Sequence, residues 1–129
     1  MIINKTVKQW HQILKGQNPD LLKNILAEDV VFHSPVLHTP QKGKKLTTMY
    51  LSAAFYVLLK HGFKYKRQVL QDNQAVLEFE TEVDGIVING VDIIECNDEG
   101  KIIEFKVMVR PLKGLQKLQQ KMFEMLEKL

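Results

Sequence analysis

The sequence lacks the features that would place the protein outside the ordinary globular class. Cys96 is the only cysteine among 129 residues, so an internal disulfide and a C-x-x-C metal or redox site are both excluded. No apolar run approaches the roughly 20 residues that a membrane helix requires, and the first residues lack the apolar core of a signal peptide. We therefore expect a cytoplasmic protein with no membrane partner.

An excess of charge of one sign is also missing, because the net charge is only +3. Basic residues gather at 42–45 and 64–67, but acidic residues are interspersed elsewhere and no aromatic side chains alternate with the basic ones. Nucleic acid is therefore not an expected partner. The composition, 45% hydrophobic and 26% charged, is that of a folded protein, and the length fits a single domain over residues 1–129.

Helical periodicity appears in the first half of the chain and again at its end. Apolar residues recur at helical spacing over about 6–15, 19–26, 45–61 and 114–129, which predicts four helices, the last one amphipathic. Gly16 is expected to end the first helix in a left-handed turn, and Asn18 with Pro19 to begin the second. A short strand at 30–34 is expected to stop at Pro35 and lead into a loop through Pro40.

Four strands are predicted in the second half, without a helical pattern between them. They cover about 63–70, 75–84, 86–96 and 101–109, separated by short turns at 72–73, 85 and 97–100. Consecutive strands with short turns form an antiparallel meander. Helices followed by such a sheet indicate the α+β class.

Alternation along these strands predicts an inner and an outer face. Glutamates at 78, 80 and 82 should point outward, facing a row of basic residues on the preceding strand, while Val69 and Ile103 should point inward. The third strand differs because its outer row is apolar except for one amide, and it consists of Val87, Asn89, Val91 and Ile93. An apolar patch between charged rows predicts a homodimer surface.

Asp92 is the most informative residue because it lies on the inner row of this apolar strand. Its neighbours on that face include Ile88, Gly90 and Ile94. An unpaired carboxylate in such a row costs several kcal/mol, unless it is hydrogen-bonded or keeps its proton with a raised pKa. We expect either a structural acid or the acid of a ligand pocket.

The order of elements resembles the cone fold of the nuclear transport factor 2-like superfamily, which includes SnoaL-like cyclases, ketosteroid isomerase and limonene epoxide hydrolase. The resemblance rests on Trp10, the pair Glu28-Asp29, the strand end Phe32-His33-Ser34-Pro35, Gly43, the segment 90–94, the turn 98–102 and the segment 107–112. It implies a curved antiparallel sheet forming a cone, with the N-terminal helices on its concave face and an amphipathic C-terminal helix.

The resemblance also implies where a site would lie. In ketosteroid isomerase a tyrosine on the first helix and a strand aspartic acid hold an oxygen, while an aspartate before a proline moves the proton. Trp10, Asp92 and Ser34 stand at the corresponding positions here, so only the strand acid remains. The epoxide hydrolase arginine is replaced by Gly90. SnoaL-like cyclases use an aspartate as general acid or base, which makes Asp92 the candidate catalytic residue.

The sequence leaves three function classes open. The first is an isomerase, cyclase or hydrolase that uses Asp92 on a small apolar or aromatic molecule, and the second is a non-catalytic domain binding such a molecule. The third is a protein-interaction domain. The expected pocket residues are Trp10, Phe32, Ser34, Tyr50, Phe79 and Phe105.

Other polar residues have less clear roles. His33 should point away from the pocket, because its strand parity is opposite to that of Ser34, whereas His38 has room to reach the pocket mouth. No third ligand has metal-binding spacing, so neither a metal nor a cofactor is expected. Arg110 either lies on the surface, clamps an anionic ligand or pairs with Asp92.

Overall fold

The computed structural model describes residues 1–128 as helices packed against one curved, six-stranded sheet. In chain order the elements are α1 (Ile2–Gly16), a 3-10 helix (Pro19–Asn24), β1 (Leu26–His33), β2 (Gln41–Lys42), α2 (Lys44–Leu58), β3 (Lys64–Gln71), β4 (Gln74–Val83), β5 (Ile86–Cys96), β6 (Ile102–Arg110) and α3 (Leu112–Lys128). No helix within residues 1–128 is both long and apolar enough to cross a bilayer. The α+β class is confirmed.

The strand order in the sheet is β2-β1-β6-β5-β4-β3. The four-strand antiparallel meander from β3 to β6 is confirmed. One pair departs from the expected antiparallel sheet, because β1 runs parallel to β6. A parallel pair needs a long connection, and α2 together with the first three strands of the meander supplies it.

The predicted second helix is shorter than expected. Only Pro19–Asn24 is helical, as a 3-10 helix that begins where the side chain of Asn18 accepts a hydrogen bond from the backbone of Asp20. Leu26 already belongs to β1, since the Ile102 backbone N–H donates to the Ile25 carbonyl at 2.8 Å. The sheet therefore takes residues that helical periodicity had assigned to a helix.

Two β-bulges reverse the predicted facing of nearby side chains. Between Tyr65 and Arg67 the register of β3 shifts by one residue, so Val69 points outward and is 58% exposed. A second shift in the β5–β6 pair buries Ile102 in place of Ile103. A bulge adds an unpaired residue, and side-chain parity changes on its far side.

The helix ends also differ slightly from expectation. Gln17, with a φ of 49°, takes the left-handed position that was predicted for Gly16. The end of α2 falls at Leu58 rather than near 61, because the Thr81 hydroxyl of β4 lies 2.8 Å from the Leu58 carbonyl and 3.2 Å from the His61 carbonyl. These contacts fix the end of α2 to the sheet.

The core lies between the concave face of the sheet and the helices. Its largest cluster includes Trp10 and Ile13 from α1, Phe55 from α2, and Phe105 from β6. A second cluster joins Phe79 of β4 to buried residues of α3. The helices therefore cover the concave face, and the amphipathic α3 packs against one end of it, as the cone fold requires.

Gly90 lies at a close approach inside this core. A Cβ atom placed on Gly90 would lie 2.7 Å from Cε2 of Phe79 and 2.8 Å from the backbone oxygen of Met108. The backbone oxygen cannot move away as a flexible side chain would. Only glycine therefore lets the Phe79 ring pack on β5 beside Asp92.

Replacing Gly90 with alanine should lower the free energy of unfolding by about 1–3 kcal/mol through overpacking. Urea denaturation monitored by circular dichroism measures the change. Gly16→Ala is the matched control, because a Cβ there meets nothing within 4 Å and alanine favours a helix. Equal stabilities for the two variants would contradict the packing account.

Candidate functional site

A cavity opens between the concave face of the sheet and the helices, and its walls are almost entirely aromatic and aliphatic. The space open to the centre of a water molecule is about 50 Å³. By that measure one buried water needs roughly 10–15 Å³, so the cavity has room for several. Asp92 is the only ionisable carboxyl group among its lining residues.

Strand β5 places Asp92 on the cavity wall with a side chain that is only 6% exposed. Burial in apolar surroundings raises the pKa of its carboxyl from 3.8 to about 7, although a hydrogen bond from Tyr65 opposes part of the rise. Burial acts this way because it penalises the charged form. Near neutral pH both protonation states of Asp92 are therefore populated.

A directed pair of hydrogen bonds holds this carboxyl group. The indole Nε1 of Trp10 donates to the Tyr65 hydroxyl oxygen at 2.8 Å, and the Tyr65 hydroxyl donates to Oδ2 of Asp92 at 2.6 Å. An indole N–H is only a donor, so Tyr65 accepts from Trp10 and must direct its own hydrogen toward Asp92. Both hydrogen bonds therefore run in the same direction, from Trp10 through Tyr65 to Asp92.

Tyr65 keeps its proton in this arrangement. Burial first, and then the negative charge of Asp92, raise the pKa of the Tyr65 hydroxyl well above 10. The hydroxyl therefore remains a donor to Oδ2 at neutral pH. Because Oδ2 accepts that bond, a proton bound by Asp92 belongs on Oδ1, which has no hydrogen-bond partner within residues 1–128.

Ser34 supplies a second polar group to the same cavity. It follows β1 directly and precedes Pro35, and its Oγ accepts a hydrogen bond from the Val36 backbone N–H at 3.2 Å. This turn fixes the oxygen while leaving the hydroxyl hydrogen without an acceptor in the described part of the chain. Ser34 can therefore donate into the cavity.

The structure brings together most of the residues that the sequence singled out. Asp92 shares the cavity wall with Trp10, Phe32, Ser34, Phe79 and Phe105. Tyr50 is not part of that wall; the centroid of its ring lies 6.0 Å from that of Phe32.

The remaining polar candidates lie outside the cavity. His33 points away from it, with Nε2 lying 3.4 Å from Oε2 of Glu104. His38 is exposed and is not part of the cavity wall. Arg110 extends from β6 toward Asn89 at 3.5 Å, so it neither pairs with Asp92 nor reaches the cavity. Among residues 1–128 no three metal-ligating side chains lie together.

Sequence reasoning missed Tyr65, the residue that organises the site. Alternation with Lys64 placed it on the inner face, but parity does not show which inner residues meet. Its partner Asp92 is 27 residues away on a strand that is not adjacent to β3. The only clue in the sequence was that Tyr65 was predicted to face a core with a single buried acid, to which its hydroxyl can donate a hydrogen bond.

A family model described as the SnoaL-like domain matches residues 7–105. The chain belongs to the SnoaL-like domain family. No curated protein matches the chain. Among solved structures, a steroid delta-isomerase from Pseudomonas aeruginosa is 33% identical, with a TM-score of 0.94, covering 99% of this chain and 93% of that one.

Two further structures resemble this SnoaL-like domain. An uncharacterised protein with a cystatin-like fold from Silicibacter pomeroyi is 28% identical, with a TM-score of 0.86 and coverage of 92% of this chain and 83% of that one. A nuclear transport factor 2-like protein of unknown function from Mesorhizobium loti is 18% identical, with a TM-score of 0.75 and coverage of 85% and 92%. The last shows the fold alone.

The raised pKa of Asp92 predicts a specific pH dependence of stability for this SnoaL-like domain. Between the ordinary value of 3.8 and about 7, the folded protein keeps a proton that the unfolded chain has released. The contribution of Asp92 to stability should therefore fall by roughly 1.4 kcal/mol per pH unit as pH rises through that window.

Urea denaturation from pH 4 to 8 measures this effect in the wild type and in Asp92→Asn, which cannot ionise. The variant should become progressively more stable relative to the wild type as pH rises. Asp98→Asn, in an exposed turn, is the matched control and should follow the wild type. Parallel curves for the wild type and Asp92→Asn would show that Asp92 ionises normally.

Proposed function

We propose that the cavity binds a small, mostly apolar molecule and that Asp92 exchanges a proton with it as a general acid–base. The observation that carries this proposal is the unpartnered Oδ1 of Asp92 in an apolar cavity, on a carboxyl group with a pKa of about 7. A group that both takes and returns a proton works best when its pKa lies near the working pH. Isomerase, cyclase and hydrolase chemistry all use such a step.

The size of the cavity restricts the ligand to a small molecule. Its volume of about 50 Å³ corresponds to roughly four water molecules, or about 120 Å³ of liquid, and a cavity of about 150 Å³ holds benzene, so one small ring is the upper limit. The lining supports an apolar body, since aromatic side chains such as Phe32, Phe79 and Phe105 form much of the wall. Polar contacts are confined to a few positions, as in most small-molecule sites.

Steroid isomerisation, the activity in the name of the Pseudomonas aeruginosa structure, is not our proposal. A four-ring steroid would need the cavity to expand, and the position of the proton-moving aspartate in ketosteroid isomerase is Ser34 here. A serine hydroxyl without a basic partner does not take a proton from carbon. The alternative that we retain is a binding domain in which Asp92 only orients the ligand.

The one-ring ketone cyclohexanone tests the proposal, because it is small and mostly apolar and has exchangeable hydrogens beside its carbonyl group. Trp10 is the only tryptophan and lines the cavity, so binding should change its fluorescence saturably. Ala54→Leu fills the cavity and should weaken binding roughly tenfold or more. Tyr56→Leu, on the exposed side of the same helix, is the control.

Catalysis is measured as protein-dependent exchange of these hydrogens in D₂O, followed by NMR. The rate should rise with pH and level off above about 7, the pKa of Asp92, because the carboxylate is the base. Asp92→Asn should retain binding and lose roughly 10²-fold or more in rate. Binding without catalysed exchange in the wild type would favour the non-catalytic domain, and full activity in Asp92→Asn would remove Asp92 from the chemistry.

We further propose that the outer face of the sheet joins two copies of the chain. Apolar side chains cross this face from β3 to β6, and we call Val69, Val76, Val91, Ile93 and Met108 the outer patch. Strand pairing brings Val69 beside Val76, Val76 beside Ile93, and Val91 beside Met108. The ion pair between Arg67 and Glu78 lies next to it. An exposed apolar patch suits a two-fold dimer, in which the same patch on each copy meets its counterpart.

Sedimentation velocity at micromolar protein tests the dimer. The wild type should sediment as a dimer, and Met108→Lys should sediment as a monomer, because a lysine would be buried in the outer patch without a partner. Phe123→Lys on α3 places the same charge on another exposed apolar residue and should remain dimeric. A monomeric wild type would refute this part of the proposal.

A further inference from the structure

A separate groove lies outside the cavity, where the C-terminal half of α1 meets the start of β3 and the loop after α2. Its aromatic and aliphatic lining consists of Leu14, Leu59, Phe63 and Tyr65, which also line the cavity. The space in this groove is about 310 Å³, against about 50 Å³ inside the cavity by the same measure. The groove therefore adjoins the cavity and has more room than the cavity itself.

No acidic residue lines this groove in the described part of the chain. Its polar side chains are His11, Lys15 and Gln17 at the end of α1, and Lys64, the first residue of β3. Neither lysine forms an ion pair within residues 1–128, although Lys64 pairs with Glu80 in the register of the sheet. Lys15 therefore carries the positive charge that is most available to a ligand.

The basic character extends over both elements that form the groove. α1 and β3 carry six of the 18 lysine and arginine residues and none of the 15 aspartate and glutamate residues. The rest of the chain has 12 basic residues against 15 acidic ones, and its net charge is negative. A cleft lined by one sign of charge concentrates ions of the opposite sign and speeds their association. The groove between α1 and β3 therefore favours an anionic ligand.

Tyr65 connects this groove to Asp92. Its hydroxyl donates to Oδ2 of Asp92 at 2.6 Å, and its ring meets the ring of His11 with centroids 5.1 Å apart. Nε2 of His11 lies 3.3 Å from Oε1 of Gln68, a contact that joins α1 to β3 at this point. Asp92 and the groove are thus separated by about the length of one tyrosine side chain. A single-ring molecule with one short substituent spans that length.

We propose that this groove is an anion-binding site that selects small apolar carboxylates, with Lys15 as the main contact. The ring of such a molecule enters the cavity, and its carboxylate stays outside, between α1 and β3. The carboxylate remains in the groove because burying an unpaired charge in apolar surroundings is strongly unfavourable. One available lysine balances the single charge of a carboxylate. This inference rests on the proposed function, and it names the charge of the ligand and a specificity-determining residue.

A comparison of 4-oxocyclohexaneacetate with its neutral amide, 4-oxocyclohexaneacetamide, tests the inference. Both molecules contain the ring and carbonyl group of cyclohexanone, with the substituent at the opposite end of the ring. At low salt the acid should bind about 3–10-fold more tightly than the amide, as measured by Trp10 fluorescence, because exposed ion pairs are individually weak. The preference should disappear at about 1 M NaCl, where the screening length is roughly 3 Å.

Substitutions of Lys15 test its role. Lys15→Gln should remove most of the preference for the acid, with a much smaller effect on the amide, and Lys15→Glu should make the amide the tighter ligand. Lys5→Gln is the matched control, because it removes the same charge from an exposed position of α1 outside the groove. Lys5 lies roughly 15 Å from Lys15 along the helix, beyond the screening length of about 8 Å at physiological salt, so this variant should keep the wild-type preference.

The three ligands separate this inference from the proposed function. Equal Kd values for acid and amide in the wild type, or an unchanged preference in Lys15→Glu, would overturn the anion site, while binding of cyclohexanone would still support the cavity proposal. If cyclohexanone, the acid and the amide all fail to change Trp10 fluorescence, the proposed function is wrong and the inference fails with it.

Discussion

The hydrogen bond from Tyr65 to Asp92 is the interaction on which the candidate site depends. Without it, a carboxyl group buried in apolar surroundings would hold its proton even more strongly, because burial alone raises its pKa. With it, the charged form gains one short bond of 2.6 Å. Trp10 sets the direction of that bond by occupying the Tyr65 oxygen. Trp10, Tyr65 and Asp92 together thus leave Oδ1 of the Asp92 carboxyl group without a hydrogen-bond partner in the described part of the chain and able to bind and release a proton.

The surrounding fold makes this arrangement possible. The curved sheet brings β3 and β5 close enough for Tyr65 to reach across β4, and α1 places Trp10 over both strands. Because Gly90 has no Cβ atom, the Phe79 ring of β4 packs closely against β5. One fold can carry many different functions, so the chemistry of this site has to be argued from its individual side chains.

The sequence predicted the scaffold well because its signals are periodic and local. Alternation along β5 placed Asp92 on the inner face, and helical spacing placed Trp10 on the buried side of α1. The parallel pairing of β1 with β6 and the bulge near Lys66 were not predicted, since both depend on contacts between distant segments. The role of Tyr65 was missed for the same reason, and Tyr50 was assigned to the cavity wall, which the structure forms without it.

The carboxyl carbon of Asp92, followed by ¹³C NMR as pH is varied, tests the central claim most directly. The account predicts a single transition with a midpoint of about 7, which moves upward in Tyr65→Phe because the bond that favours the charged form is lost. A midpoint near 3.8, the ordinary value for an aspartate, would contradict the account. So would a transition that is identical with and without the Tyr65 hydroxyl.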